Sequence, residues 1–197
     1  MGKQLAFYLN SSICTGCKAC QIACKDKNNL PLGILWRRIV QYGGGSWQLH
    51  PTVKYLGVPN NIFAYSFSMS CNHCEDPACV RQCPAKAYSK RDRDGIVIHD
   101  PEKCIGCRYC TWACPFNAPQ YDDSEGRVRK CNLCTDELDR GEAPACVASC
   151  PVRAIEIGLL DEIIERDGAT LVITGVPWRG NTRPAVRYRV RREAIRD

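Results

Sequence analysis

Sixteen cysteines in a chain of 197 residues fall into four groups of four, and every group ends in C-x₃-C. Cys14, Cys17, Cys20 and Cys24 are spaced C-x₂-C-x₂-C-x₃-C, and Cys104, Cys107, Cys110 and Cys114 repeat that spacing. Cys71, Cys74, Cys79 and Cys83 widen the middle gap to four residues, while Cys131, Cys134, Cys146 and Cys150 widen it to eleven. No cysteine is left over. Disulfide frameworks belong to small secreted chains, and Met1–Asn10 lacks the apolar stretch and small-residue cleavage site of an export signal.

One ligand rule covers all four groups. In iron–sulfur proteins of the C-x₂-C-x₂-C-x₃-C-P type, three cysteines and a distant fourth hold each cubane. Proline follows the last cysteine in three groups, as Pro84, Pro115 and Pro151; the first departs, with Lys25 after Cys24. The expectation is four [4Fe–4S] clusters with all sixteen cysteines as iron ligands, and a chain that moves single electrons. Structural zinc is the competing reading, because Cys₄ zinc sites also use C-x₂-C pairs. A third and fourth cysteine at x₂ and x₃ is not their usual arrangement.

The spacing has a mechanical sense. The first three cysteines of a group lie on a tight loop, helped by Gly16 and Gly106, where small residues admit close backbone approach. A short helix follows, such as Lys18–Lys27, and the fourth cysteine lies one turn beyond the third, within reach of a different cluster. Proline then turns the chain into an extended segment.

Hairpins follow the second and third groups. Ala87–Asp100 reads as strand, turn at Asp94-Gly95 and strand, and Ala118–Lys130 repeats this around Glu125-Gly126. An insert at Asn29–Ser70 holds strand-like stretches at Trp36–Tyr42 and Ile62–Met69, separated by Gly43-Gly44-Gly45 and a polar loop. Ala154–Ile157 alternates like a strand, and Asp161 is placed to cap a short helix through Arg166.

The formal charge of +6 counts every cysteine as neutral. Sixteen thiolates and four oxidised cluster cores bring the loaded protein to about −2. Lys18, Lys25, Arg81, Lys86, Arg108 and Lys130 lie in or beside the cysteine groups, where positive charge tunes cluster potential. The tail Arg179–Asp197 carries seven arginines and two acids but no base-reading or stacking motif, so no nucleic-acid partner is expected. Alternation over Val186–Val190 points to a solvated or subunit-facing strand.

Residues between the cysteines carry a family resemblance over about residues 5–160. The segments are Cys14–Lys25 (CTGCKACQIACK), Arg37–Trp47 (RRIVQYGGGSW), Ser70–Cys79 (SCNHCEDPAC), Cys104–Cys110 (CIGCRYC), Ala113–Tyr121 (ACPFNAPQY) and Pro144–Pro151 (PACVASCP). They resemble the four-cluster iron–sulfur electron-transfer subunits of molybdopterin oxidoreductases, most nearly the dimethyl sulfoxide reductase B type.

The resemblance implies an α+β fold of two nested bacterial ferredoxin-like modules, each holding two [4Fe–4S] clusters, with short β-hairpin inserts and an extended C-terminal tail. Residues 1–60 with 122–158 would form the outer module and 61–121 the inner one, with 159–197 packing on partner subunits. It also implies the ligand sets. Cys14, Cys17 and Cys20 would act with Cys150, and Cys131, Cys134 and Cys146 with Cys24. In the inner module, Cys71, Cys74 and Cys79 would act with Cys114, and Cys104, Cys107 and Cys110 with Cys83. Nitrate reductase relatives carry tryptophan at the position of Cys107 and hold a three-iron cluster there, so cysteine implies four complete cubanes.

As further implications, the Cys14 cluster would face a molybdopterin catalytic subunit and the Cys104 cluster a membrane-anchor, quinol-oxidising subunit. The protein would mature in the cytoplasm and sit peripherally on the bacterial cytoplasmic membrane, its side set by its partner. Formate dehydrogenase, polysulfide reductase and other molybdenum or tungsten enzymes are alternative partners; a soluble polyferredoxin is another reading.

No nucleophile–base arrangement or phosphate loop points to a catalytic site or a small-molecule substrate. His73 lies between Cys71 and Cys74, but a full cysteine set leaves it no ligand role. Tyr109 and Trp112 are expected to pack around a cluster. His50 and His99 carry no signal.

Overall fold

The structure, a computed structural model, describes residues 3–176 and 180–190. At its centre β1 (Leu5–Asn10) runs between β8 (Ile155–Leu159), antiparallel to it, and β10 (Val186–Arg189), parallel to it. The short β9 (Ala169–Thr170) completes the order β8-β1-β10-β9. Ala6, Phe7, Tyr8 and Leu9 are all buried, because both faces of β1 are covered. Phe7 and Leu9 pack with Tyr65, Phe67, Met69, Val186 and Tyr188; Ala6 and Tyr8 pack with Leu160 and Ile163 of α6 (Leu160–Ile164). An unbroken apolar run suits a strand buried on both sides.

This strand arrangement sets the chemistry. Cys14 follows β1 by four residues and Cys150 precedes β8 by five. Antiparallel pairing aligns Leu9 with Ile155, and the Asn10 amide donates to the Ala154 carbonyl at 2.8 Å. The first and last cysteine groups therefore meet at one end of the sheet. There α1 (Ala19–Lys27) packs on α5 (Ala145–Ala148).

A long hairpin of β2 (Arg38–Leu49) and β3 (Gly57–Met69) lies against the sheet at its base. The end of β3 is buried on both faces and sorts its residues by period 2: Tyr65, Phe67 and Met69 join the core, and Ser66, Ser68 and Ser70 alternate with them. Further along come α2 (Ala78–Arg81), the hairpin β4 (Tyr88–Lys90) and β5 (Val97–His99), α3 (Tyr109–Ala113), and the hairpin β6 (Gln120–Asp122) and β7 (Arg127–Arg129). Helix α2 packs on α3, and α4 (Thr135–Leu138) follows the first half of the last group.

Both short hairpins form where the turn residues place them, with positive φ at Gly95 and Gly126. The other hairpin differs from expectation. The glycine triplet does not end β2; the strands run on to Leu49 and begin at Gly57, with a bulge between Gly44 and Ser46. Gly45, at φ 110°, absorbs the irregularity. Asp161 is not a cap either: it lies in the first turn of α6, whose N-cap is Leu159. The strand expected over Val186–Val190 forms, but inside the chain's own sheet and not on a surface. Val186 and Tyr188 are fully buried because β10 covers the second edge of β1. Residues 191–197 of the tail lie outside the described residues.

Candidate metal centres

The loops of the first and third groups are conformational copies. Gly16 and Gly106 take φ of 71° and 70°, and Lys18 and Arg108 both take 63° before their helices. A side chain at Gly16 would meet Ser66 Oγ at 2.6 Å, and one at Gly106 would collide with the Gly126 carbonyl. Glycine is needed there for conformation and for clearance. His73 in the second group and Leu133 and Cys134 in the fourth are also left-handed. Such turns direct successive amides into an anion-binding concavity, at about 1 to 2 kcal/mol per non-glycine residue.

Two cavities are lined by four cysteines each. Cys14, Cys17, Cys20 and Cys150 share one with Ile39 and Ser68. Cys71, Cys74, Cys79 and Cys114 share another with Lys130 and Thr182. Cys24 feels the charge of Cys131 and Cys146, and then of Arg37 and Cys134. Cys104 and Cys107 flank Cys110, and Cys83 packs with Cys104 against a core of Tyr88, Val97, Cys110 and Val128. All sixteen cysteines are free. Among the described residues no three His, Cys, Asp or Glu groups converge as one ion requires.

The groups also adjoin in a fixed order. Cys20 is next to Cys146, Cys131 is next to Cys71, and Cys79 meets the core around Cys110. At one end Cys17 is exposed, and at the other Cys104 and Cys107 are half-buried beside exposed Ile105. Between them Cys71, Cys131, Cys134 and Cys146 are buried, and Cys74, Cys79 and Cys114 are half-buried.

Hydrogen bonds to sulfur follow a rule that sequence reasoning missed. The Ala87 amide donates to Cys83 Sγ and the Ala154 amide to Cys150 Sγ, each at 3.2 Å. The Ala118 amide serves Cys114. Each alanine lies four residues after the last cysteine of its group, in C-P-x-x-A, and Lys86, Asn117 and Arg153 before it are left-handed. The thrice-repeated alanine was the available signal. The first group has no such proline, and there the side-chain amide of Asn28, again four residues on, lies 3.8 Å from Cys24 Sγ.

Electrostatics complete the fit. Burial, and then neighbouring cysteines, push the thiols of Cys74 and Cys79 up to about 12 and that of Cys131 up to about 11. Cys134 also rises to about 12, through burial first. Four such thiolates coexist only around a positive core, as iron provides. Two cations are buried among them. Arg37 feels the charge of Cys146, Cys131, Cys20 and Cys24. Lys130 donates to the carbonyls of Val97 and Cys131 and lines the Cys71 cavity.

His73 is neutral and structural: burial holds its pKa well below the ordinary value, and Nδ1 accepts the Val97 amide at 3.1 Å. His50 Nδ1 accepts from Thr52 and Val53 in a turn, and His99 stacks on Tyr88. Tyr109 and Trp112 do not pack inside. They are 52% and 80% exposed. On the one-turn α3, residues 109 and 112 share the outward side while Cys110 takes the buried one.

Comparison with known proteins agrees with this chemistry. A domain family described as a 4Fe-4S dicluster domain matches residues 62–160. The chain is 45% identical over 186 residues to the B chain of anaerobic dimethyl sulfoxide reductase from Escherichia coli K12, covering 94% of this chain and 88% of that one. It is 33% identical over 219 residues to the B subunit of sulfite dehydrogenase from Allochromatium vinosum, covering 96% and 84%. It is 34% identical over 169 residues to the iron–sulfur subunit of the nitrate-inducible formate dehydrogenase of E. coli, covering 82% and 56%.

Proposed function

The chain belongs to the family of iron–sulfur B subunits that includes the one in anaerobic dimethyl sulfoxide reductase, and on that premise we propose how it carries electrons and between which partners. It is an electron-transfer subunit of an oxidoreductase complex, with four [4Fe–4S] clusters and no catalytic site of its own. The clusters, when bound, supply one-electron chemistry.

The ligand sets are Cys14, Cys17, Cys20 with Cys150; Cys131, Cys134, Cys146 with Cys24; Cys71, Cys74, Cys79 with Cys114; and Cys104, Cys107, Cys110 with Cys83. The cysteine-lined cavities and the cysteines whose charge acts on Cys24 and Cys110 support this grouping. Outer and inner ferredoxin-like modules follow, residues 1–60 with 122–158 around 61–121. The paired packing of α1 on α5 and of α2 on α3 is consistent with that nesting. Strands β9 and β10 complete the sheet of the outer module. The protein holds each set in place, excludes water from its middle, and supplies amide and cationic partners to the sulfurs.

One observation carries the functional reading: the four groups adjoin in turn, from exposed Cys17 to Cys104 and Cys107 beside exposed Ile105. Electrons enter at the Cys104 end from a quinol-oxidising membrane subunit and leave at the Cys14 end to a molybdopterin subunit. Exposed Ile105, Tyr109 and Trp112 at the Cys104 end suit a partner's apolar surface. Among the described residues no helix is long and apolar enough to cross a membrane.

The test is anaerobic co-purification with the neighbouring subunits, followed by reduction with a quinol and mixing with candidate acceptors. Dimethyl sulfoxide should reoxidise the iron–sulfur chromophore. The 33–34% identities leave sulfite and formate enzymes as the other partners to assay. Colourless protein containing zinc, or a chromophore that no subunit can reduce or oxidise, would refute the proposal.

A further inference from the structure

Arg37 stands just before β2 and is 1% exposed. Its guanidinium lies 4.3 Å above the Phe7 ring, and among the described residues it forms no ion pair with a carboxylate. Nη2 is buried without a hydrogen-bond partner there. A guanidinium buried away from any counter-charge is costly by several kcal/mol, so the fold keeps it for an anion. The Phe7 ring beneath it packs in one core with Cys20 and Cys146, and the cysteines whose charge acts on it are Cys146, Cys131, Cys20 and Cys24.

These four cysteines come from two ligand sets. Cys20 belongs with Cys14, Cys17 and Cys150, and the other three complete a set with Cys134. A directional link also joins Arg37 to the first set. Nη1 donates to Ser68 Oγ at 2.9 Å, and Ser68 Oγ lies 3.6 Å from Cys20 Sγ. Arginine has donors only, so the serine oxygen accepts, and its single hydrogen is left for the sulfur. Ser68 is itself 3% exposed, so water does not compete for that hydrogen.

We propose that Arg37 is a shared positive charge for two adjacent clusters, and that through Ser68 it also orients a hydrogen bond onto Cys20, raising the electron affinity of both. The proposal rests on the ligand grouping given above. It makes this pair, at the Cys14 end, a sink that draws electrons towards the molybdopterin side. Arg37 is a positioning and charge-supplying residue that touches no substrate.

The experiment is an anaerobic redox titration of the intact complex, followed by electron paramagnetic resonance, for Arg37→Gln, Arg37→Lys and Ser68→Ala. Arg37→Gln should weaken the electron affinity of both clusters at least tenfold, 59 mV for one electron. Arg37→Lys, which keeps the charge, should restore most of that shift. Ser68→Ala should lower only the cluster whose signal Cys17→Ser abolishes. A residue that merely props the hairpin would leave these potentials in place. Unchanged potentials in fully loaded Arg37→Gln overturn the proposal. Should that variant fail to assemble, an unchanged Cys20 cluster in Ser68→Ala overturns it. Failure of the grouping reads differently: Ser68→Ala would then shift a signal that Cys17→Ser leaves intact.

Discussion

The backbone amide of Ala154 donates to the sulfur of Cys150 across 3.2 Å, in a segment where β8 has not yet begun and the cysteine's helix has just ended. The same relation joins Ala87 to Cys83. A proline and one left-handed residue reverse the chain so that the fourth amide after the cysteine points back at its sulfur. Hydrogen bonds to ligand sulfur stabilise the reduced, more negative state.

In the first group Asn28 does this work with its side chain. Asn28→Ala should therefore lower the midpoint potential of the Cys24 cluster. One long hydrogen bond to sulfur is worth about 0.5 to 1.5 kcal/mol, or roughly 20 to 60 mV for one electron. A redox titration in which that cluster does not move would remove Asn28 from the scheme.

Cys107 is half-buried beside exposed Ile105, and in the proposed Cys104 set it would supply one iron with its only protein ligand. Cys107→Trp should leave a three-iron cluster, seen as a new paramagnetic signal in the oxidised protein and the loss of about one iron per chain. Four intact cubanes in that variant would mean another group ligates there.

Tyr188 is 1% exposed and meets Phe67 edge-on with ring centroids 6.5 Å apart. Tyr188→Ala empties the space where β10 joins the sheet to the hairpin base and should destabilise by about 3 to 5 kcal/mol. Denaturant unfolding of the loaded protein measures this. A loss below about 1 kcal/mol would show that β10 contributes little to the fold.

His99 stacks on Tyr88 at 4.6 Å. Burial first, then the Lys130 charge, pushes its pKa down to about 4, with Asp100 acting the other way. The unfolded ring titrates near 6.5, so between pH 6.5 and 4 the unfolded chain takes up a proton that the folded chain refuses. Stability then falls as pH drops through that window and is flat above it. Allowing for solvent around this half-buried ring, the loss is about 1 to 2 kcal/mol. His99→Phe keeps the stack and should flatten the wild-type profile between pH 7 and 5; identical slopes would exclude His99 as the cause.

Much of the fold was legible locally. Asp94-Gly95 and Glu125-Gly126 announce their hairpins because a two-strand turn needs a left-handed residue, and glycine supplies it without strain. Lys18–Lys27 differs from the observed helix by one residue. The reading failed where an element's place depends on a remote one. Val186–Val190 alternates as a surface strand would, yet β10 is interior because β1 is apolar on both faces and needs covering on each edge. The glycine triplet looked like a break, and cross-strand pairing with Phe63 and Ala64 carried β2 through it.

By itself, the sequence determined the number of cysteine groups, the kind of cofactor they hold and the family they belong to. Ligand spacing within three or four residues is a local property of loops and single helical turns. Only the tertiary structure decided which groups meet. Pairing of β1 with β8 carries Cys14 to Cys150 across more than a hundred residues, and the serine face of β3 brings Ser68 and Arg37 to Cys20. Strand register and the burial of apolar faces create those neighbours, and no short-range pattern encodes them.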